Sequence, residues 1–222
     1  MDTSPLREFF PEVPPTSWEL MDRYCDLLDS EGRRAGLIGF DSPAIPEQVA
    51  RSLLVLRITE TPQLLIDVGS GAGLPGVPLA IAGTTVVLVE PRQRAQAFLE
   101  LVRRELQLDF EVIATTAEQV GRGSLRETAQ VVVARALART GVALELCSPL
   151  CTPGGSIVLT AGPETEAAEP GVLEQLGLGE AEVVEVPGPE NIHQFFHIVQ
   201  KVRPVGEDYP RRQGLAQRKP LS

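Results

Sequence analysis

The residues whose types and spacing can do chemistry gather in one run, Asp67-Val68-Gly69-Ser70-Gly71-Ala72-Gly73-Leu74-Pro75-Gly76. Glycines reach positive φ and let backbone amides approach a ligand closely. The apolar run Leu64–Val68 precedes them, and Pro75 suits the first turn of a following helix. The segment therefore reads as a buried strand entering a cofactor-cradling turn, or, on the plainer reading, as a tight strand-to-helix turn. Gly71-x-Gly73-x-x-Gly76 satisfies the dinucleotide fingerprint, a pattern of low specificity on its own.

Three charged residues stand at comparable places further along. Glu90 ends the second apolar run and can accept hydrogen bonds from both hydroxyls of a ribose, which serves any nucleoside cofactor. Glu118 follows the third run, where a carboxylate can accept from an adenine amino group or simply favour a helix start. Arg135 comes directly after the fourth run, Val131–Ala134.

These positions need a parallel sheet to bring them together. Leu64–Val68, Thr85–Val89, Phe110–Ala114, Val131–Ala134 and Ser156–Thr160 are short and rich in β-branched residues, as strands buried on both faces are. Between them Leu74–Ala82, Arg92–Leu106, Ala117–Arg126 and Thr140–Leu150 carry apolar residues at helical spacing. The alternation predicts an α/β fold with helices on both faces of a mostly parallel sheet. Such sheets bind ligands beyond the carboxyl ends of their strands, where the glycine turn, Glu90 and Arg135 fall. Ala181–Val186 and His193–Val202 predict an antiparallel C-terminal edge. Ahead of the sheet, Thr16 suits a helix N-cap before Trp18, Met21, Cys25 and Leu28, and Gly32–Pro46 reads as a loop. A second helix carries Val49, Leu53, Leu54 and Leu56. The chain thus divides into an N-terminal helical extension (1–60), a cofactor-binding domain (61–202) and a tail (203–222) without a regular element.

Composition bounds the function. The net charge of −10 argues against a general affinity for nucleic acid, yet Lys201–Ser222 holds six basic residues against two acids. Three cysteines and two histidines predict buried free thiols and no metal site. The lack of a secretory signal or long apolar run predicts a cytoplasmic protein, which is expected to act as a monomer.

Gly69-x-Gly71-x-Gly73 directly behind Asp67 resembles the first motif of Rossmann-like class I methyltransferases, whose loop cradles the methionine part of S-adenosylmethionine. Across nearly the whole chain the sequence resembles one family, the glucose-inhibited division protein B (GidB) group of bacterial small-subunit (16S) rRNA guanine-N7 methyltransferases. The resemblance rests on DVGSGAGLPGVPLAI (Asp67–Ile81), LVEPRQRAQAFLELVRREL (Leu88–Leu106), ARALA (Ala134–Ala138), LCTPGGSIVL (Leu150–Leu159) and the ending KVRPVGEDYPRRQGLAQRKPL (Lys201–Leu221). It implies S-adenosylmethionine contacts at Gly69, Leu74, Ala117, Glu118 and Arg135, with Asp67, Gly71, Gly73 and Glu90 completing the cofactor site. With rRNA or the small ribosomal subunit as partner, Arg135 is expected to order the site as its catalytic residue, and Arg211 and Arg212 to grip RNA phosphates. The chain departs from the family pattern at Gly36-Leu37-Ile38, at Arg51–Leu56 and at Ala161-Gly162, where polar residues are replaced. Those changes bear on the substrate, so a divergent methyltransferase with another substrate and a catalytically silent cofactor-binding module are alternatives.

Overall fold

A computed structural model describes residues 3–39, 41–165 and 168–221. Seven strands form one sheet: β1 (Leu65–Val68), β2 (Val86–Val89), β3 (Glu111–Ile113), β4 (Ala129–Ala134), β5 (Cys151–Ala161), β6 (Leu178–Pro187) and β7 (His193–Lys201). Their spatial order is β3-β2-β1-β4-β5-β7-β6. The first five run parallel, and β7 pairs antiparallel with both β5 and β6. The order reverses between β1 and β4, so the carboxyl ends of those strands flank a crevice.

Every residue of β1 and β2 is buried, which is why both read as unbroken apolar runs apart from Asp67. The expectation of burial on both faces fails for β3, an edge strand whose residues are exposed or half-buried. One face of the sheet is covered by α2 (Ser17–Leu27), α3 (Ile45–Leu53), α4 (Gly76–Ile81) and α5 (Gln93–Leu106), preceded by the short α1 (Ser4–Arg7). The N-terminal helices therefore share a core with the strands: Phe10, Trp18, Met21 and Leu53 cluster with Leu65, Leu79 and Leu88. Thr16 occupies the N-cap position of α2, but its side chain makes no capping bond, because its backbone is already helical. The expected Gly32–Pro46 loop is shorter, because a five-residue π-turn, Leu28–Gly32, takes its start and α3 already begins at Ile45.

The opposite face carries α6 (Ala117–Val120), α7 (Thr140–Cys147) and α8 (Pro170–Gln175). α6 is one turn long, shorter than the Ala117–Arg126 span expected, and it stops at Gly121, with Gly123 close behind. Glycine is a poor helix former, and here it also makes room: a Cβ on Gly121 would lie 3.1 Å from Pro210. The tail packs against this face and forms one helical turn, α9 (Leu215–Arg218), where none was expected. Cys25, Cys147 and Cys151 are buried free thiols. Among the described residues no helix is long and apolar enough to cross a membrane.

Candidate functional site

The glycine turn leaves β1 at Asp67, whose carboxylate lies wholly inside the protein. Asp67 Oδ2 accepts the Gly76 amide at 3.0 Å, tying the strand end to the first residue of α4. That approach requires glycine at 76, since a Cβ there would sit 2.3 Å from Leu88 and 2.7 Å from Asp67 Oδ2. Asp67 Oδ1 is buried with no hydrogen-bond partner among the described residues. Burial pushes the carboxyl up to about 7, against the pull of the Gly76 amide and the Arg135 charge. Gly69, Gly71 and Gly73 have φ of +74°, +57° and +89°, which side-chain-bearing residues seldom adopt. An ideal Cβ on Gly69 would lie 2.6 Å from Leu137 Cδ1, so the connection after β4 leans onto the turn.

Glu90 follows β2 and is buried, but both its oxygens have partners. Oε2 accepts the Gly71 amide at 2.8 Å, and Oε1 accepts the Arg92 amide at 2.8 Å and Arg92 Nε at 3.0 Å. Burial alone would raise the carboxyl, yet the hydrogen bonds from Arg92 and Gly71 hold it below the usual range. Arg92, the partner of Glu90, is itself largely exposed. The Gln96 side-chain amide donates to the Glu90 carbonyl at 2.8 Å.

Arg135 leaves β4 toward the N-terminal helices and donates to Gln48 Oε1 of α3 at 2.9 Å. Its charge acts on both Tyr24 and Asp67, and burial holds its own pKa down. The Tyr24 hydroxyl donates to the Ala72 carbonyl at 2.7 Å, anchoring α2 to the glycine turn. Tyr24, Gln48 and Arg92 were missed in sequence. The first two sit in ordinary amphipathic helices, and only the i, i+2 spacing of Glu90 and Arg92 hinted at the third.

Ala117 and Glu118 open α6 on the other side of the crevice. Glu118 is buried, and its Oε1 accepts the Gly214 amide of the tail at 2.9 Å. Arg211 and Arg212 separate. Arg211 Nε and Nη2 both grip Glu145 of α7, and Nη2 also reaches the Lys219 carbonyl. Arg212 is exposed and has no side-chain partner among the described residues. The Arg211 guanidinium is thus held by a buried carboxylate, whereas that of Arg212 faces solvent. The roomier clefts, about 590 Å³ each, lie between α8 and β6 and at the amino ends of the strands. Neither includes these residues.

Comparison with known proteins settles the class. The family model GidB, rRNA small subunit methyltransferase G, matches residues 17–187. The chain belongs to the GidB family. It is similar to Ribosomal RNA small subunit methyltransferase G of Carboxydothermus hydrogenoformans, with 34% identity over 97% of this chain and 98% of that one. The counterpart from Chloroflexus aggregans is 38% identical over 90% of this chain and 88% of its own. Among solved structures, cofactor-bound Rv0187 from MTB superposes with a TM-score of 0.57 at 17% identity, covering 82% of this chain and 89% of that one. M. jannaschii TYW2 in complex with AdoMet gives 0.52 at 16% identity, covering 69% and 74%. These likenesses establish the class I methyltransferase fold. Membership makes this GidB chain an S-adenosylmethionine-dependent methyltransferase of small-subunit rRNA.

The residues present fit that cofactor. An orphaned, buried carboxylate oxygen at Asp67 calls for a cationic or N–H donor, and the cofactor carries an ammonium group. The three positive-φ glycines carry no side chain between the backbone of the turn and a ligand.

Proposed function

We propose that the chain methylates guanine N7 in small-subunit rRNA, as a cytoplasmic monomer. Asp67 and the Gly69–Gly73 turn would hold the amino-acid end of S-adenosylmethionine, Glu90 its ribose, and Ala117 with Glu118 its adenine. Leu74, at the end of the turn and buried, would add an apolar contact to the cofactor. Bound there, the cofactor supplies an activated methyl group.

Guanine N7 exposes a lone pair on the major-groove edge, so no proton has to leave before it attacks. That chemistry needs none of the acids around the crevice as a general base. Asp67 is tied to Gly76, Glu90 is bound by Arg92, and burial pushes the Tyr24 hydroxyl well above its ordinary range. Rate enhancement then rests on positioning and on exclusion of water. Arg135, between Gln48, Tyr24 and Asp67, orders the crevice for the incoming base. The charge of half-buried Arg135 acting on Asp67, whose Oδ1 is buried without a partner among the described residues, is the observation that carries the proposal. Exposed Arg212, Arg218 and Lys219 supply the cationic edge for RNA phosphates.

The test is methyl transfer from labelled S-adenosylmethionine to small subunits from cells lacking this gene, with nucleoside mass spectrometry of the rRNA. The expected product is one additional 7-methylguanine, lost in Arg135→Ala. An unchanged set of methylated guanines rejects the substrate while sparing the fold.

A further inference from the structure

Glu118 sits on a helix of a single turn, which has little stiffness to aim a carboxylate. What aims it comes from 96 residues further along the chain. The tail reaches it by a series of fixed points. Arg126 donates to the carbonyls of Val205, Gly206 and Tyr209 at 2.9, 3.1 and 2.7 Å. The Val205 amide donates to Glu127 at 2.8 Å. Pro210 fills the space left by Gly121.

Arg211 then binds Glu145, whose side chain is 1% exposed, with its guanidinium and its own amide. The same guanidinium holds the Lys219 carbonyl at 2.8 Å, so residues 211–219 form a closed loop on one cation. Inside it Gly214, at φ +72°, turns its amide onto Glu118 Oε1. A backbone donor has a fixed direction, and with one oxygen held the other is directed too. Glu118 Oε2 has no partner among the described residues.

We infer that the Arg211–Lys219 loop is a positioning element of the cofactor site. The Arg211–Glu145 clamp presses the Gly214 amide against Glu118, so that Oε2 meets the adenine amino group. The inference rests on the reading that Glu118 takes adenine. It gives Arg211 a role opposite to that of Arg212: one holds the cofactor site, the other faces solvent and RNA.

The test uses calorimetry with S-adenosylhomocysteine and with its analogue bearing hydrogen in place of the 6-amino group. The intact protein should prefer the amino form by about tenfold, the worth of one hydrogen bond to a charged group. Arg211→Ala should bind the two ligands alike, and Glu118→Ala with Arg211→Ala should lose no more preference than Glu118→Ala alone. If Arg211→Ala does not fold, judged by circular dichroism, Glu145→Gln weakens the same clamp and retains the shape of the side chain. A folded clamp variant that keeps the full preference overturns the tail's role while leaving Glu118 in place. No preference in the intact protein overturns the adenine reading and the inference with it.

Discussion

Lys201 lies at the end of β7 with 1% of its surface exposed. Its Nζ donates to the Ser148 carbonyl and hydroxyl at 3.0 and 2.9 Å and to the Leu176 carbonyl at 3.3 Å, with Glu127 3.5 Å away. Burial lowers its pKa to about 8, partly opposed by Glu127 and by Cys151, from 10.5 when unfolded. Between those values the unfolded chain keeps a proton that the folded protein releases, so stability rises with pH. Integrated from pH 7.5 to 9, the gain is about 1 kcal/mol, and the burial cost still carried at pH 7.5 is about 3 kcal/mol.

Lys201→Met removes that cost together with the bonds from Nζ, while the Ser148 hydroxyl still donates to the Leu176 carbonyl at 2.6 Å and the Cys151 amide to the Ser148 carbonyl at 3.3 Å. The variant should also lose the pH-linked gain. Burial raises the pKa of Cys25, Cys147 and Cys151, which titrate with the opposite sign from about pH 9 upward. They do so in both proteins and cancel in the difference. The assay is urea unfolding followed by the single tryptophan, Trp18, at pH 7.5, 8, 8.5 and 9. The stability of the intact protein relative to the variant should rise by about 1 kcal/mol over that range. Parallel stability curves would refute the reasoning, because they require a lysine that titrates alike folded and unfolded.

Gly76→Ala should cost about 1–3 kcal/mol of stability through overpacking against Leu88 and weaken S-adenosylhomocysteine by displacing Asp67, read by urea unfolding and calorimetry. Because Asp67 takes up a proton near pH 7, cofactor affinity should fall about tenfold per pH unit below that point. Asp67→Asn should bind more weakly and show no such step; a step retained in the variant assigns the titration elsewhere. His197 on β7 is 1% exposed, and neither ring nitrogen has a partner among the described residues. Burial lowers its pKa, so below about 6.5 the unfolded chain protonates first and stability falls by up to about 1.4 kcal/mol per pH unit. His197→Leu should remove that acid-side loss in unfolding measurements from pH 7 to 5.5.

Much of the fold was legible because its signals are local. Buried parallel strands are apolar over most of their length, and β1, β2 and β4 announce themselves that way apart from Asp67 and Gln130. Where an element sits at the sheet edge, as β3 does, the sequence looks the same while the burial differs. α6 was over-extended because apolar spacing continues past Gly121, whereas the chain there is drawn into bonds with the tail through Arg122 and Arg126.

Residue types and spacing alone mark the glycine turn, the acid that opens it and the positions beyond the strand ends, since positive φ and strand alternation constrain which residues can stand there. Tertiary structure decided which charges are free. Arg211 and Arg212 are neighbours of one type, yet the first is spent on Glu145 and the second faces solvent. Glu90 is already bound by Arg92, and Glu118 takes its direction from Gly214. Residue type sets what a side chain can pair with. The partner it meets depends on contacts across as many as 96 residues, which no local periodicity encodes.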